Sequence, residues 1–189
     1  MNYIKKHSYD IVRLFLNQIA MAFFGLVLFF ATGMANDGEV GVFSLVASIF
    51  SILFYLFILY ATLNEMGMKD QIRVESGAIR KDAHHGLKLI LLSQIPNFLF
   101  LLLMGIGWVL AYLFGLHTVG LNLYTVAQLV LHFLHAMYNG LIQFFIPAAS
   151  TQSETLVLLL VYLLTPIPQI LVAWGSYALG MKRQARFSE

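Results

Sequence analysis

The chain has 189 residues, of which 60% are hydrophobic and only 11% are charged, and its mean hydropathy is +0.81. Soluble domains average about half apolar and a quarter charged residues, so this composition predicts an integral membrane protein that contacts the lipid bilayer. The net charge of +2 gives no basis for a nucleic-acid partner, and the absence of cysteine excludes disulfides, thiolate metal sites and a thiol nucleophile.

Five apolar segments are each long enough to cross about 30 Å of hydrocarbon as a helix. In chain order they are Ile11 to Met34, Val40 to Leu63, Leu87 to Leu116, Leu123 to Pro147 and Thr155 to Met181. They predict an all-α fold, a polytopic transmembrane helical bundle that forms one membrane-embedded domain over residues 1–189. Lys5 and Lys6 precede a first apolar run that is too long for a signal peptide and lacks a cleavage site, so we expect it to be retained as a span.

Positive charge is confined to three regions of the chain, which together hold all 11 Lys and Arg residues. The residues are Lys5, Lys6 and Arg13, then Lys69, Arg73, Arg80, Lys81 and Lys88, then Lys182, Arg183 and Arg186. The connections at 36–39, 117–122 and 148–154 contain none, so the positive-inside rule places the amino terminus and the polar loop 65–86 in the cytoplasm. The absence of any Asn-x-Ser/Thr acceptor fits a bacterial cytoplasmic membrane.

The number of crossings is left open by the sequence. Five crossings from a cytoplasmic amino terminus would place the basic tail on the outer side, against the positive-inside rule. Because the earlier segments often dominate orientation, we nevertheless expect five crossings. The alternative is four crossings, with the fourth segment entering and leaving on one side and broken at Asn139 and Gly140.

Proline and small residues predict how the segments bend and pack. Pro96 in the third segment and Pro166 and Pro168 in the fifth each remove a helical hydrogen bond, so kinks are expected there. A face of small residues on the second segment predicts close helix packing, and its members are Ser44, Ala47, Ser48 and Ser51.

Polar side chains recur along the fourth segment at steps of four, three, four and four residues. They are Gln128, His132, His135, Asn139 and Gln143, which we call the polar stripe. At about 100° per residue on an unbroken helix they fall within about 80° of arc. Because polar groups facing lipid are costly, the stripe is expected to face the protein interior.

Three interpretations of the stripe stay open: hydrogen bonds between helices, a polar ligand pocket or permeation path, and a metal site. His132 and His135 at i, i+3 could share a divalent ion, but a third ligand would have to come from a segment end, with Glu154 nearest in sequence. No cofactor or metal is therefore assigned. The loop histidines His84 and His85 are expected to be solvated, because consecutive residues of a helix point apart.

A second set of polar residues is predicted near the cytoplasmic ends of the first and third segments. Together with the inner end of the stripe, these residues would outline a vestibule in which the charge of Arg13 favours a small polar or anionic ligand. Alternatively, Arg13 reaches lipid headgroups and pairs with Asp10. The predicted residues are Arg13, Asn17, Gln18, Ser93, Gln94 and Asn97.

His135-Ala-Met-Tyr-Asn139 resembles the HxxxN element of the CAAX-processing and bacteriocin-immunity family of intramembrane proteases. The resemblance covers five residues, and the paired glutamates followed by arginine that supply the family's catalytic carboxylate are missing. The chain is therefore not assigned to that family.

The functional expectation is a non-enzymatic membrane protein that binds or helps translocate a small polar or amphiphilic solute. It would act as a homo-oligomer or with a partner membrane subunit. The alternatives are an intramembrane enzyme that acts on lipid or peptide through His132 or His135, and a scaffold or immunity-type protein.

Overall fold

The computed structural model describes residues 2–35, 41–82, 84–146 and 151–185. Nearly all of these residues are helical and none forms a strand, which confirms the all-α prediction. The expected segment ends Val40 and Pro147, the basic Arg186, and the connections at 36–39 and 148–150 lie outside the described residues. The helices are α1 (Asn2–Lys6), α2 (Ser8–Met34), α3 (Val42–Glu75), α4 (His85–Ser93), α5 (Ile95–Tyr112), α6 (His117–Leu134), α7 (Asn139–Phe145), α8 (Gln152–Leu164) and α9 (Pro166–Ala185).

Several helices are long and apolar enough to cross a membrane. Four candidate spans occur among the described residues. Helix α6 and residues 136–145 are bent by 82° relative to each other, and they make a fifth span if the two together count as one. The four are Ser8–Met34, Val42–Glu75, Ile95–Tyr112 and Gln152–Gln184. The chain is thus an integral membrane protein with multiple apolar helices.

The chain divides into two compact units. Unit 1 contains Met1–Asn17, Phe54–Gln94 and Ile167–Glu189, and unit 2 contains Gln18–Leu53 and Ile95–Pro166.

Unit 1 is built around α3 and α9, whose backbones meet at glycines. A Cβ on Gly180 would collide with the backbone carbonyl of Asn64, and one on Gly67 would collide with that of Tyr177. The core of the unit is apolar and consists of Leu14, Leu59, Leu63, Leu89, Ile90, Ala173, Tyr177 and Met181.

Helix α3 extends to Glu75, so the first half of the predicted loop 65–86 continues the helix. Polar pairs one turn apart support it there, since Gln71 donates to Glu75 over 3.0 Å and Arg73 pairs with Asp70 at 3.4 Å.

In unit 2, α5 and α6 form an antiparallel hairpin. Gly115 has a φ of +70° in the short turn between them, a conformation that favours glycine. Gly107 and Gly120 let the two backbones touch, because a Cβ at Gly120 would collide with the backbone nitrogen of Ala111.

Helices α6 and α8 of unit 2 run in the same direction. Three hydrogen bonds join the two stretches, and the residue numbers of both partners rise together from one bond to the next. They link Tyr124 Oη to the Thr155 carbonyl (3.1 Å), His132 Nδ1 to Tyr162 Oη (3.1 Å), and Tyr138 Oη to the Thr165 carbonyl (3.2 Å). Because parallel neighbours cannot be joined by a tight turn, the chain between Leu134 and Gln152 must return to the end of unit 2 where α6 began.

The expected proline kinks are interruptions of the helices. Helix α4 ends at Ser93 just before Pro96, and α8 ends at Leu164 just before Pro166. Pro166 has no N–H to donate to the Tyr162 carbonyl, and the Thr165 hydroxyl donates to that carbonyl instead at 2.9 Å.

Candidate functional site

The fourth segment is a broken helix, and the prediction of one helix over 123–147 is wrong. Helix α6 begins at His117 and ends at Leu134, a 3-10 turn covers Ala136–Tyr138, and α7 follows. We name the stretch from His132 to Gln143 the broken-helix site.

The break lies several residues before the expected position at Asn139 and Gly140. Gly140 is part of α7, where a Cβ would collide with the Ser44 carbonyl and approach Ser48 Oγ to 2.6 Å. Gly25 of α2 similarly lies against the backbone of Met137, because a Cβ added to Gly25 would be only 2.5 Å from the Met137 Cα. These glycines therefore allow close packing of the turn and of α7, in accord with the small-residue face predicted for the second segment.

Two buried amide side chains support the end of α6. The Leu134 carbonyl accepts a hydrogen bond from Gln18 Nε2 at 3.5 Å, and Gln18 Oε1 accepts one from Asn97 Nδ2 at 3.0 Å. Gln18 is 1% exposed and Asn97 is 2% exposed, so both side chains lie inside unit 2. Gln18 thus donates to the Leu134 carbonyl, a backbone group that the broken helix leaves without a helical partner, and Asn97 supports Gln18.

His132 is held by two side chains. Its Nδ1 is 3.1 Å from the hydroxyl of Tyr162, and its Nε2 is 3.5 Å from Nε2 of Gln143. The ring of His135 lies 5.7 Å from that of Tyr162, between centroids, so both histidines share this aromatic neighbour. Gln128, one turn before His132, is half-buried.

None of the five stripe residues is exposed, which agrees with the predicted inward face. His135 is 1% exposed and Asn139 is 0% exposed. The 100° periodicity holds only up to Leu134, so α7 and the turn bring Asn139 and Gln143 inside by packing and not by helical register.

Within the described part of the chain, three atoms of this site are buried without a hydrogen-bond partner: His135 Nε2, Asn139 Oδ1 and Asn139 Nδ2. His135 Nδ1 lies 3.1 Å from the Leu131 carbonyl, which can only accept, so Nδ1 carries a proton, and in the neutral ring Nε2 then presents a lone pair. A buried polar group left unpaired costs about 1–3 kcal/mol. Such groups are rare in native proteins and require an explanation.

Charge is nearly absent from unit 2. None of the 11 Lys and Arg residues falls in its two sequence ranges. Its acidic residues are Asp37 and Glu39, outside the described residues, and Glu154. Glu154 caps α8 by accepting the Thr151 N–H at 2.9 Å, so the carboxylate considered as a third metal ligand serves a helix end. Over residues 2–35, 41–82, 84–146 and 151–185, no three His, Asp or Glu side chains are grouped to hold a metal ion.

The other predicted site residues, Arg13, Asn17 and Gln94, belong to unit 1. Gln94 is fully buried, and its Nε2 donates to Gln169 Oε1 at 2.6 Å. Arg13 and Asn17 are half-buried, and Arg13 lines a cavity of about 290 Å³ beside Asp10. A vestibule that joins these residues with the stripe stays a prediction.

Sequence reasoning missed a cluster around His85 in unit 1. His85 is only 8% exposed, which contradicts the expectation that the loop histidines are solvated. The Tyr3 hydroxyl lies 2.8 Å from His85 Nδ1, His85 Nε2 is 3.8 Å from Asp70, and the Tyr177 hydroxyl donates to Asp70 at 2.9 Å. The i, i+4 relation of His85 to Leu89 on α4 was the available signal, since Leu89 belongs to the core.

Burial shapes the proton affinities of this cluster. It lowers the pKa of His85, and the neighbouring His7, whose ring centroid lies 4.5 Å away, lowers that pKa further. Asp70, Asp82 and Asp10 act in the opposite direction. Burial also raises the pKa of Tyr3 to about 12, so its hydroxyl keeps its proton.

Comparison of the chain with known protein families, with curated proteins and with solved structures found no match in any of the three. The chemistry of the sites is therefore the basis for function. The broken-helix site contains an imidazole and a carboxamide whose unpartnered polar atoms are buried, and unit 2 holds no Lys or Arg.

Proposed function

We propose that this chain is a non-enzymatic, multi-pass membrane protein that binds a small polar solute at the broken-helix site and helps it across the membrane. It does so as a homo-oligomer or as the membrane subunit of a larger transporter. The observation that carries the proposal is the presence of three buried atoms without a partner among the described residues, namely Nε2 of His135 and both side-chain amide atoms of Asn139.

Discontinuous helices support a transport role because they expose polar backbone and side-chain groups at membrane depth, where an intact helix would not. Transporters place solute sites at such breaks. Here the break lies inside unit 2 between α6 and α7, and the Ala136–Tyr138 turn is fully buried. A solute with hydrogen-bonding groups would offset the cost of the unpaired atoms.

We further propose a bacterial cytoplasmic membrane, a cytoplasmic amino terminus and four crossings with a re-entrant fourth segment. The parallel course of α6 and α8 supports the re-entrant alternative, since the chain between them returns to the end where α6 began. An even number of crossings also keeps all three basic regions on one side. A reporter fused after Glu189 that is active in the cytoplasm supports four crossings, and a periplasmic signal indicates five.

Thermal unfolding of the purified protein with a broad panel of metabolites tests the binding proposal. A solute at about 100 times its Kd should stabilise the protein by about 2.7 kcal/mol. The stabilisation should disappear in His135→Leu and in Asn139→Leu. Matched controls are His117 and Asn122 of α6, which are exposed and whose substitution by leucine should leave the response intact.

Two outcomes would overturn the proposal. Either no solute stabilises the wild-type protein, or the stabilisation persists unchanged in both His135→Leu and Asn139→Leu. A response lost equally in the His117→Leu and Asn122→Leu controls would likewise place the solute elsewhere on α6.

A further inference from the structure

We infer that the solute bound at the broken-helix site is uncharged and donates a hydrogen bond to Nε2 of His135, as a small polyol or a primary amide does. The inference rests on the proposed function and specifies its substrate class. It follows from the charge content of unit 2 and from the hydrogen-bonding capacity of two buried side chains.

The charge content excludes an ionic solute. Unit 2 holds no Lys or Arg, and Glu154, its one acidic residue in the described part of the chain, caps α8. A carboxylate or phosphate brought beside His135 would therefore have no fixed counterion, and an ammonium would have no carboxylate. Burying an unpaired ion costs far more than a few neutral hydrogen bonds return.

This differs from the anionic ligand that the vestibule hypothesis favoured. That preference depended on Arg13, which belongs to unit 1 and lines a cavity there with Asp10, Lys69 and Asp70. The broken-helix site holds neutral side chains, namely His132, His135, Asn139 and Gln143, with Tyr162 beside them.

The hydrogen-bonding capacity specifies what the solute must offer. Since Nδ1 of His135 donates to Leu131, Nε2 of the neutral ring accepts and needs a donor. The Asn139 carboxamide adds an acceptor at Oδ1 and two donors at Nδ2, all buried. A ligand that both donates and accepts through neutral groups satisfies all of these atoms. Hydroxyl and carboxamide compounds do so, whereas ethers, which only accept, leave His135 unpaired.

Matched probes that differ in charge or in donor capacity test the inference. Three pairs differ in charge, namely acetamide and acetate, urea and guanidinium, and glycerol and glycerol phosphate; dimethoxyethane supplies acceptors alone. The readouts are thermal stability and the ¹⁵N resonance of His135 Nε2 in protein labelled at histidine. His135→Gln identifies that resonance by its loss.

The expected result is that acetamide, urea or glycerol raises the melting temperature and shifts the His135 Nε2 resonance in the direction of an accepted hydrogen bond. The charged partners and dimethoxyethane should do neither. Proteoliposomes should also swell faster with the active neutral probe than vesicles that contain His135→Leu protein.

A failure of this inference can be distinguished from a failure of the proposed function. If an ionic solute from the wider panel stabilises the protein through His135, or if a neutral probe stabilises it without moving the Nε2 resonance, the inference is overturned and the proposed function stands. If no solute of either kind stabilises the protein, the proposed function fails and the inference fails with it.

Discussion

The Asp70 cluster of unit 1 and the broken-helix site of unit 2 differ in how their buried polar side chains are partnered. In unit 1, the Asp70 carboxylate, which is 14% exposed, accepts from Tyr177 and Arg73 and lies beside His85, so one acid joins three elements of the chain. In unit 2, His135 and Asn139 are more deeply buried, yet His135 Nε2 and both amide atoms of Asn139 lack partners among the described residues. Polar groups of the first kind stabilise the unit, whereas under the proposed function those of the second kind bind the solute.

The comparison has a direct consequence for mutagenesis. Removing a polar group from the Asp70 cluster should lower the free energy of unfolding, because its partners lose a charged hydrogen bond. Removing the free end of His135 should not, because no intramolecular hydrogen bond is lost there. A substitution at His135 should therefore change the response to the ligand without lowering the free energy of unfolding.

The largest expected effect is that of Gly140→Ala, which tests whether α7 is packed as the broken-helix site requires. The added methyl would collide with the Ser44 carbonyl, a backbone atom that cannot rotate away, so we expect a loss of about 3 kcal/mol. Gly33→Ala in α2 is the matched control, since a Cβ added there would have no neighbouring atom within 4 Å, and it should gain up to about 1 kcal/mol. Denaturant unfolding in one detergent measures both, and equal stabilities would contradict the packing of α7 on α3.

Asp70→Asn should have the next largest effect and tests the comparison from the side of unit 1. The substitution weakens hydrogen bonds from Tyr177 and Arg73 to a carboxylate that is 14% exposed, and should cost about 2 kcal/mol. Asp82→Asn is the control, because its pair with Lys88 is more exposed, and it should cost less than about 1 kcal/mol. If the two variants unfold alike, Asp70 does not organise unit 1.

The composition and the lengths of the apolar segments were sufficient to predict the helical membrane fold, and the row of polar side chains in the fourth segment includes His135 and Asn139, which are buried. The position of the break was not predictable, because it depends on contacts from distant parts of the chain. Gly25 and Gly140 read locally as flexible positions, but they are sites where Met137 and Ser44 approach closely. The pairing of Gln18 with Leu134 likewise joins residues 116 apart in sequence.

The role of Glu154, in contrast, could have been predicted from the sequence. Its sequence neighbours include Thr151, and Thr-x-x-Glu before an apolar run is a capping box, so its structural use was available from the sequence. The burial of His85 was harder to predict, because Tyr3, Asp70 and Tyr177 come from three separate stretches of unit 1.

The two histidines of the stripe give a smaller effect that sharpens the comparison inside unit 2. Without ligand, His132→Leu should lose about 1 kcal/mol, because it leaves the Tyr162 hydroxyl without its imidazole partner. His135→Leu should cost less than His132→Leu, since its Nε2 has no partner to lose and the Leu131 carbonyl, which accepts from His135 Nδ1, keeps the His135 backbone N–H as a donor. Thermal unfolding of both variants in the same detergent decides this. A larger loss for His135→Leu would mean that its ring serves stability, which would remove the basis of the proposed site.

The smallest effect concerns the pH dependence of unit 1. The pKa of His85 is lowered by burial from its ordinary value of 6.5, so the folded state binds a proton there less readily than the unfolded chain. Stability should therefore fall as the pH drops below 6.5 and should stop falling once the pH is below the folded-state pKa.

His85→Gln isolates this effect, because it removes the titrating group at the Tyr3 and Asp70 contacts. Melting temperatures measured at about pH 7.5 and about pH 5.5 should differ less in His85→Gln than in the wild-type protein. His84→Gln, at an exposed position, should keep the wild-type difference. If His84→Gln reduces the acid sensitivity as much as His85→Gln does, the effect belongs to exposed charge on the loop. The contrast between a tightly partnered unit 1 and an available site in unit 2 would then lose its support at His85 and rest on Asp70.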